Sequence, residues 1–524
     1  MSGFIDAVKA ALGADRISET PEDLAPYLQN TTNFKREVPC AIRPGSIEDV
    51  QAVVAAANAH KVPLYPFSQG KNWGLGSKLP VRDGCALLDL SGMAEISNYD
   101  DTFGVVTVQP GVSQGQLSQY LLDRNAKFFL DVTGSGAGTS VVGNTLERGV
   151  AYNTLRIEQV VSLQVITGRG DFIQTGFAHM GESTIARLSR FGIGPSLEGL
   201  FVQSNLGIVV GATVKLKPVP EAQAVFLLSL KEERRLGELF DSLRVLNQRG
   251  VVESVVHVGN RRRSEITLPP LVYNYYKGIG QEISRDHANA VVDSQLGGDW
   301  SAIGVVMGTP GHVRHCKSEI KKALSGFGGM KFLTPGLLAL AKQVLAKAPM
   351  PKTRAFFMAV EPLMNLTRGL PSNAALHSTY WTVSTASDDA ANPDKGPGGI
   401  IFATPIVPME KQAVDESMAR SRKICEEHGF DVAITLNMMH DKTLEGVVSI
   451  DFDRADPAAQ ERAITCMKAL NAMYIETGCF PYRMDIGNMG AVVDPDSVHW
   501  QLVRDLKQVL DPNHIISPGR YNLV

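Results

Sequence analysis

Short apolar runs alternate with stretches of helical periodicity over the first ~220 residues. Residues 49–58 place apolar side chains at a helical period, whereas residues 61–67, 85–90 and 104–109 are strand-like runs bounded by turn residues. Helices and strands interleave without forming one regular series of βαβ units. The pattern therefore predicts an α+β fold rather than a doubly wound parallel sheet.

A break in this pattern divides the chain. Residues 209–216 are the last predicted strand of the first unit, and the proline-containing stretch 217–221 interrupts the pattern. A strand at 224–230 and an amphipathic helix from Leu236 to Val245 begin a second unit, which continues to about residue 490. Within it, the small, polar residues 384–399 predict a long exposed loop.

Composition excludes several classes of protein. The 524 residues carry a formal net charge of −3, which gives no basic surface for nucleic acid or an acidic membrane. The six cysteines form no CxxC pair, so neither a disulfide framework nor a metal site is expected. No run approaches 18 apolar residues, and the N-terminus has the pattern of an amphipathic helix rather than a signal peptide. We expect a cytoplasmic location, with a periplasmic one left open.

The first candidate for chemistry is a glycine-rich loop that follows the strand ending at Phe67. Its glycines are Gly70, Gly74 and Gly76, and glycine allows backbone N–H groups to converge on a phosphate. The spacing fits neither the Rossmann fingerprint nor the P-loop. On this loop alone, a phosphate cradle and an ordinary glycine turn are equally good readings.

Two further stretches favour the cradle. Residues 134–145 are almost all small and would leave space for something large and flat that is not protein. Residues 203–209 form another glycine turn in front of a strand. Three such segments in one unit indicate a bound cofactor.

These segments together resemble the FAD-binding domain of the vanillyl-alcohol oxidase / p-cresol methylhydroxylase flavoprotein family. The matching pieces are GKNWGLGSKLP at 70–80, SVVGNTLERGVAY at 140–152 and FGIGPSLEGLFVQSNLGIV at 191–209. Two C-terminal pieces match as well, FPYR at 480–483 and LDPNHIISPGR at 510–520. The similarity keeps the same order over nearly the whole chain and is weakest in the middle.

The resemblance implies a two-domain fold with the flavin ring at the domain interface. Residues 1–222, completed by the C-terminal tail 492–524, would form a PCMH-type FAD-binding domain, and residues 223–491 an α+β cap that holds the substrate. The expected FAD-binding residues are Pro66, Phe67, Ser68, Gly70, Lys71, Asn72, Trp73, Gly74, Ser135, Ser140, Gly143, Asn144, Thr145, Gly149, Tyr152, Asn205, Gly207, Ile208 and Arg520.

The substrate side departs from the family pattern. Members that oxidise 4-alkylphenols hold the phenolate with two tyrosines and an arginine; Tyr482 and Arg483 match one tyrosine and the arginine, and we expect both to be catalytic. Leu75 stands in place of the other tyrosine. Losing one charge-assisted donor costs about 1.5–3 kcal/mol of anion binding. The polar cap residues His440, Asp441 and Glu445 do not match the family register.

The positions of covalent flavin attachment differ too. Thr379 stands where one branch has its linking tyrosine, with Tyr380 next to it, and Ile400 stands where another branch has histidine. We therefore predict non-covalent FAD and place Leu75, Thr379, Tyr380 and Ile400 at the substrate pocket.

The resemblance implies an FAD-dependent oxidoreductase that removes hydride from an alcohol or an activated (benzylic or allylic) C–H. Ser135 matches the branch that passes electrons to a cytochrome c, which favours that branch. The sequence leaves both O2 and a cytochrome c open as the electron acceptor. A homodimer or larger homo-oligomer is expected. The alternatives are a 2-hydroxy-acid dehydrogenase of the same superfamily, with Arg483 on the carboxylate, and a non-catalytic flavin-binding protein.

Overall fold

In the computed structural model, which describes residues 1–383, 392–522 and 524, the chain builds one mixed unit before residue 222 and a second unit after it. The helices of the first unit are α1 (Ser2–Leu12), α2 (Pro21–Leu28), α3 (Ile47–His60), α4 (Gln114–Asp123), α5 (Val141–Leu146) and α6 (Thr184–Leu188). Its strands are β1 (Ile17–Ser18), β2 (Ala41–Ile42), β3 (Leu64–Phe67), β4 (Ala86–Asp89), β5 (Ile96–Asp100), β6 (Val105–Val108), β7 (Phe128–Phe129), β8 (Val160–Ile166), β9 (Phe172–Gln174), β10 (Ile208–Lys215) and β11 (Lys217–Pro218).

The larger strands of the first unit form two sheets. One has the order β1-β2-β4-β3, with β2, β4 and β3 parallel, and the other is an antiparallel sheet of order β5-β6-β10-β8-β9. The strands predicted at 61–67, 85–90, 104–109 and 209–216 correspond to β3, β4, β6 and β10. The mixed α+β class is therefore confirmed.

The second unit is built on one antiparallel sheet. Its strands are β12 (Ala222–Leu230), β13 (Val256–Asn260), β14 (Trp300–Gly308), β15 (Gly328–Leu333), β16 (Gly398–Ala403), β17 (Ile406–Pro408), β18 (Ala433–Met438) and β19 (Thr443–Asp453), in the order β15-β12-β14-β13-β18-β19-β16 with β17 also paired to β19. Its helices are α7 (Leu236–Gln248), α8 (Arg261–Thr267), α9 (Pro269–Gly278), α10 (Arg285–Asp293), α11 (Pro310–Leu324), α12 (Pro335–Lys347), α13 (Pro351–Leu366), α14 (Ser378–Trp381), α15 (Lys411–Glu427) and α16 (Pro457–Glu476). The last helix, α17 (Val498–Leu510), packs Leu506 and Leu510 against the core of the first unit.

The two faces of this sheet have opposite character. Side chains alternate between faces along a strand, and Val256, Leu436, Leu444 and Val448 belong to the buried core shared with α7, α11, α15 and α16. The residues between them therefore face the other way, towards the first unit. This second face carries polar side chains, and they are important for the site.

The C-terminal tail returns to the first unit. Beyond α17, the backbone N–H of Leu64 donates to the Ile515 carbonyl at 2.6 Å, and Ile516 is buried in the core around α1 and α3. A buried ion pair, Lys507 Nζ to Asp511 at 2.6 Å, fixes the turn that precedes this strand-like segment. The end of the chain is thus part of the first unit's core.

The predicted exposed loop at 384–399 needs correction at its described end. Residues 384–391 lie outside the described residues, but Pro393 and Asp394 are buried in a 3-10 turn, and β16 already begins at Gly398. Ser77 Oγ donates to Asp394 at 2.7 Å, so this stretch packs against the glycine-rich loop instead of extending into solvent. All six cysteines are buried free thiols. Among the described residues, none of the helices has the length and apolar character needed to cross a membrane.

Candidate active site

The glycine-rich loop leaves β3 in a conformation that its glycines require. Gly70, Gly74 and Gly76 have φ values of 62°, 73° and 115°, a region that residues with a Cβ rarely adopt. A Cβ at Gly74 would also lie 2.2 Å from Phe402 on β16. The loop therefore packs directly against the second unit, and only glycine fits at its closest approach.

A second wall faces this loop across a cavity. Ser140 begins α5 by accepting a hydrogen bond from the Gly143 N–H at 2.9 Å, and its own hydroxyl donates to the Pro110 carbonyl. A Cβ at Gly143 would lie 2.3 Å from Ser68 Oγ, so the small residue allows the two walls to meet. The two walls line a partly open cavity of about 170 Å³.

Most of the predicted cofactor-binding residues are found here. Those that line the cavity are Pro66, Phe67, Ser68, Gly70, Lys71, Asn72, Ser140, Gly143, Asn144, Gly207 and Arg520. Those that do not line it are Trp73, Gly74, Ser135, Thr145, Gly149, Tyr152, Asn205 and Ile208. Sequence reasoning missed Tyr65, Gln69, Glu147, Gln203 and Ser204, which do line it. Tyr65 lies on β3 and the other four lie in loops, where side chains of these types are common, so their residue types alone do not single them out.

Three of the residues that do not line the cavity stabilise the structure around it. Thr145 donates back to the Val141 carbonyl within α5, and Ile208 is buried in the core. The side chain of Asn205 donates to the carbonyls of Ser517 and Val524, which ties the C-terminal tail to β10. These three side chains support the cavity from behind instead of facing it.

Three charged side chains and a tyrosine join distant segments at one end of the cavity. Glu147 pairs closely with Arg520, lies 4.0 Å from Arg483 Nε, and accepts from Tyr521 OH at 3.2 Å. Burial tends to raise the pKa of Glu147, but the two arginines outweigh it and hold the pKa below its ordinary value. Two arginines against one carboxylate leave a net positive charge, which suits an anionic ligand such as a pyrophosphate.

Other observations fit the flavin cofactor. The indole Nε1 of Trp73 and the amide oxygen of Asn144 are buried, yet neither hydrogen-bonds to any part of the chain that the structure describes. Buried polar atoms of this kind normally have a partner. A donor and an acceptor beside a glycine-lined, net positive cavity match the mixed donors and acceptors of a dinucleotide with a ring system.

Tyr482 and Arg483 lie side by side at the boundary between the two units. Arg483 lines the cavity and its Nη2 donates to Asn72 Oδ1 at 2.5 Å in the glycine-rich loop. Tyr482 is 5% exposed, its carbonyl accepts from Gln203, and Arg148 lies over its ring at 6.0 Å. Burial raises the pKa of Tyr482, so its hydroxyl stays protonated near neutral pH. Arg483 therefore lines the cavity, whereas Tyr482 lies next to it outside the lining, and we call this end of the cavity its mouth.

A row of three polar side chains crosses the facing sheet. His257 on β13 pairs with Asn437 on β18, which pairs with Glu445 on β19. Asn437 Nδ2 donates to the Glu445 carbonyl at 2.9 Å, so its oxygen faces His257 and accepts from Nδ1–H at 2.7 Å. This fixes the tautomer of His257 and leaves Nε2 as the unprotonated nitrogen. Burial lowers the pKa of His257 to about 4, so the ring is neutral.

Glu445 closes this row next to the first unit. It is 5% exposed, and its Oε1 lies 3.8 Å from Nη2 of Arg148, a residue of the second wall with φ of 53°. Burial raises the pKa of Glu445 to about 7, against the opposing effect of Arg148. Sequence reasoning noted Glu445 only as a polar residue out of register. Glu445 lies an odd number of residues from the apolar Leu444 and Val448. Strand alternation would therefore have placed it on the opposite, polar face.

A second charged group lies deeper in the same interface. Arg263 on α8 and Asp451 on β19 attract each other, and burial raises the pKa of Asp451 to about 6. Arg263 Nη1 and Asp451 Oδ1 are both buried and lack a hydrogen-bond partner within the described ranges. The Tyr152 ring contacts that of His257, with the centroids 4.6 Å apart and the planes tilted by 47°, and it also lies near Arg263, so it connects this group to the row on the sheet.

The four predicted pocket residues occupy different surroundings. Leu75 is 2% exposed and its carbonyl accepts from the Ile486 N–H at 3.3 Å, and Ile400 is buried in β16. The Thr379 hydroxyl donates to the Leu376 carbonyl, and Tyr380 OH bonds to His377 Nδ1 at 2.8 Å. The hydroxyls of Thr379 and Tyr380 therefore have partners of their own on and beside α14. His440 lies exposed at the turn between β18 and β19.

Comparisons with known proteins agree with this geometry. Residues 38–176 match the FAD binding domain family. The chain is 31% identical over 525 residues to 1'-carboxy-chondrochloren decarboxylase from Chondromyces crocatus, covering 98% of this chain and 96% of that protein. It is 24% identical over 523 residues to the flavoprotein subunit of 4-cresol dehydrogenase [hydroxylating] from Pseudomonas putida, covering 98% and 94%.

The solved structure of p-cresol methylhydroxylase with substrate bound has the same fold, with a TM-score of 0.84, 23% identity, and 99% and 96% of the two chains covered. A D-2-hydroxyglutarate dehydrogenase from Stutzerimonas stutzeri matches only 41% of this chain, at 29% identity. Fold, cavity and sequence together define an FAD-dependent oxidoreductase. The chain belongs to the vanillyl-alcohol oxidase / p-cresol methylhydroxylase family of flavoproteins, which carry a PCMH-type FAD-binding domain.

Proposed function

We propose that this enzyme oxidises an alcohol or an activated benzylic or allylic C–H, such as that of a 4-alkylphenol or an aryl or allylic alcohol. The observation that carries this proposal is the meeting of Tyr482 and Arg483 with Arg148 and Glu445 at the mouth of the cofactor cavity. Bound FAD accepts the hydride. The protein's own side chains position the substrate hydroxyl, exclude water and handle its proton.

The same proposal assigns roles to the two units. Residues 1–222 with the tail 492–524 form the FAD-binding domain, and residues 223–491 form the cap; the separate buried cores and the return of Ile515 and Ile516 to the first unit support this division. The proposed FAD-binding residues are the expected ones that line the cavity, with Glu147 and Gln203 added. Leu75 and the polar face of β13, β18 and β19 surround the substrate.

FAD is held non-covalently in this proposal. The hydroxyl of Thr379, which stands at the position of the linking tyrosine, donates to the Leu376 carbonyl, and Tyr380 OH is hydrogen-bonded to His377, just before α14. Acid precipitation tests this directly: the yellow colour should pass to the supernatant, and colour that stays with the pellet would contradict it.

The substrate class is tested by anaerobic mixing with 4-alkylphenols, benzylic alcohols, allylic alcohols and D-2-hydroxy acids. We expect bleaching of the flavin absorbance near 450 nm by at least one of the first three groups. Bleaching by hydroxy acids alone would favour the 2-hydroxy-acid dehydrogenase, whose similarity is confined to less than half of the chain. No bleaching by any compound would reject the proposal.

A second candidate is oxidation coupled to loss of CO2. It is favoured by the similarity over 98% of the chain to a protein named as a decarboxylase, and by Arg263, whose buried Nη1 is unpaired within the described residues and suits a carboxylate. The substrate would carry its carboxylate on the carbon next to the oxidised one. CO2 released in one-to-one ratio with flavin reduction would establish this reaction, and its absence would leave simple oxidation.

The electron acceptor is O2 or a cytochrome c. The relative from Pseudomonas putida is named as the flavoprotein subunit of a dehydrogenase, which favours a protein acceptor. Comparing the reoxidation rate of the reduced enzyme by air and by cytochrome c distinguishes the two. We also expect a homodimer or larger homo-oligomer, which light scattering tests.

A further inference from the structure

Glu445 presents a carboxylate oxygen to the interface without a partner. Oε1 lies 3.8 Å from Arg148, whereas Oε2 is buried and accepts no hydrogen bond from any described residue. Leaving such an acceptor unpaired costs about 1–3 kcal/mol. A donor supplied by a bound molecule would remove this cost, and the cavity's mouth at Tyr482 and Arg483 is where such a molecule would lie.

The polar groups around Glu445 come from all the elements packed against it except β17, whose paired residue Ile406 is apolar. They are Arg148 and Glu158 from the first unit, Tyr482 and Arg483 from the segment before α17, Asn437 on β18 and His257 on β13. The arginines are cations, Tyr482 is protonated, and His257 is neutral with its Nδ1–H engaged. Glu158 is exposed at the surface. His257 Nε2 is also a buried acceptor without a hydrogen-bond partner among the described residues, but its pKa of about 4 makes it a weaker proton acceptor than Glu445, whose pKa is about 7.

We propose that Glu445 is the catalytic proton acceptor for the substrate hydroxyl, an inference that rests on the proposed oxidation of a phenol or alcohol. The substrate O–H bond breaks and its proton passes to the Glu445 carboxylate. The C–H hydrogen leaves with both bonding electrons to the oxidised flavin, which is reduced by two electrons. A carbonyl forms from an alcohol, or a quinone methide from a 4-alkylphenol, and Glu445 later releases the proton to water.

This assignment specifies the substrate class more closely. Glu445 supplies an unpaired acceptor near Tyr482. A carboxylate acceptor favours a neutral hydroxyl group, which can donate to it, over a preformed phenolate or a carboxylate at this position. The enzyme therefore binds the protonated phenol or alcohol and removes the proton only after binding.

The pH dependence of flavin reduction tests this role. Because the carboxylate is the active form and burial raises the pKa of Glu445 to about 7, the rate should fall as the pH drops below about 7. Glu445→Gln should lower the rate by roughly 10²–10³-fold and abolish the inflection, since general-base catalysis contributes effects of this size. Glu445→Asp should retain the inflection. A Glu445→Gln enzyme that keeps the wild-type profile would overturn the proposal.

A spectroscopic measurement that needs no substrate tests the same role of Glu445. Infrared difference spectra of the flavin-loaded enzyme between pH 5 and pH 9 should contain a protonated-carboxyl band that titrates near pH 7 and is missing in Glu445→Gln. Removing the cation in Arg148→Met should move this titration upward, and the control Glu158→Gln should move it downward, because Arg148 lowers and Glu158 raises the pKa of Glu445. A wild type without such a band would overturn the assignment.

The two tests separate the claims. If no compound in the panel bleaches the wild-type flavin, the proposed function fails, whatever the infrared result. If the wild type is bleached but neither its pH profile nor its carboxyl band depends on Glu445, only the proton-acceptor role fails. An inert Glu445→Gln enzyme with full flavin content and the band missing supports both.

Discussion

The glycine-rich loop and the polar face of the cap sheet meet at one interface, but they are built from opposite kinds of residue. At Gly74 the loop has no side chain at all, because a Cβ would strike Phe402. Across the interface, His257, Asn437 and Glu445 each come from a different strand and act through long, polar side chains.

This difference has a physical basis. A large cofactor needs space and backbone N–H groups, which small residues close together in sequence provide. A small substrate needs a few charges in fixed positions, which a rigid sheet provides from residues far apart in sequence. The cofactor side therefore keeps a family pattern while the substrate side can be rebuilt one side chain at a time.

The largest expected effect is on the cofactor side, at the buried charge group. Glu147→Gln leaves Arg520 and Arg483 without their carboxylate, and breaking a buried pair in this way costs about 3–5 kcal/mol. Because the pKa of Glu147 is held below its ordinary value, its contribution is present above the unfolded-state pKa and is lost as pH falls through the folded one. Urea unfolding should show a large wild-type advantage at pH 7 that shrinks in acid.

The exposed pair Arg169–Asp171 gives the control for this prediction, and Asp171→Asn should leave the urea midpoint almost unchanged. A Glu147→Gln midpoint equal to that of the wild type at pH 7 would mean that the charge group does not hold the cofactor side together.

Next in size is Gly74→Ala in the loop itself. A left-handed φ of 73° costs about 1–2 kcal/mol for a residue with a Cβ, and the contact with Phe402 adds about 1–3 kcal/mol. FAD affinity should fall by roughly 30-fold or more, as measured by flavin absorbance per chain and by titration of the apoprotein. The matched control is Gly199→Ala, where a Cβ meets nothing within 4 Å. Equal flavin content in the two variants would contradict the prediction.

On the cap side, Glu445→Gln should stabilise the protein above neutral pH, whereas Glu147→Gln destabilises it. A pKa raised from 4.5 to about 7 means that Glu445 stabilises the fold fully below its unfolded-state pKa and that this is lost as pH rises through about 7. The shift corresponds to on the order of 3 kcal/mol. The variant should therefore unfold at a higher temperature than the wild type at pH 8, with the difference vanishing near pH 4. A variant less stable than the wild type at pH 8 would show that the pair with Arg148 outweighs the burial.

The smallest expected effect is at the middle of the cap row. Asn437→Leu, nearly the same size, removes the acceptor of His257 Nδ1–H and the donor to the Glu445 carbonyl. Losing hydrogen bonds of this kind costs about 1–1.5 kcal/mol, so flavin reduction by substrate should slow by roughly tenfold. Flavin content should be unchanged, and a loss of flavin would mean that the two sides are not separable.

Much of the cofactor side could be predicted from the sequence. Glycines and small residues at 68–76 and 134–152 are local signals, and the cavity they form has the predicted Ser68, Gly143 and Asn144 on its walls. Strands such as β3, β6 and β10 followed from runs of apolar residues.

The substrate side could not be read in the same way. Glu445 lies opposite Asn437 only because β18 and β19 pair in one register, and it reaches Arg148 only because the two units pack together. Nothing within a few residues of Glu445 encodes either contact. The stretch at 392–399 was misjudged for a similar reason: its polar composition resembles a loop, but Asp394 is buried by its bond to Ser77, far away in sequence.

The most direct test of the separate roles of the cofactor side and the substrate side uses three proteins in parallel. Each is mixed anaerobically with a phenol or alcohol from the panel that reduces the wild-type flavin. The wild type should be yellow and bleach, Glu445→Gln should be equally yellow but bleach at least a hundredfold more slowly, and Gly74→Ala should be largely colourless. Bleaching of Glu445→Gln at the wild-type rate, or full flavin in Gly74→Ala, would contradict the account.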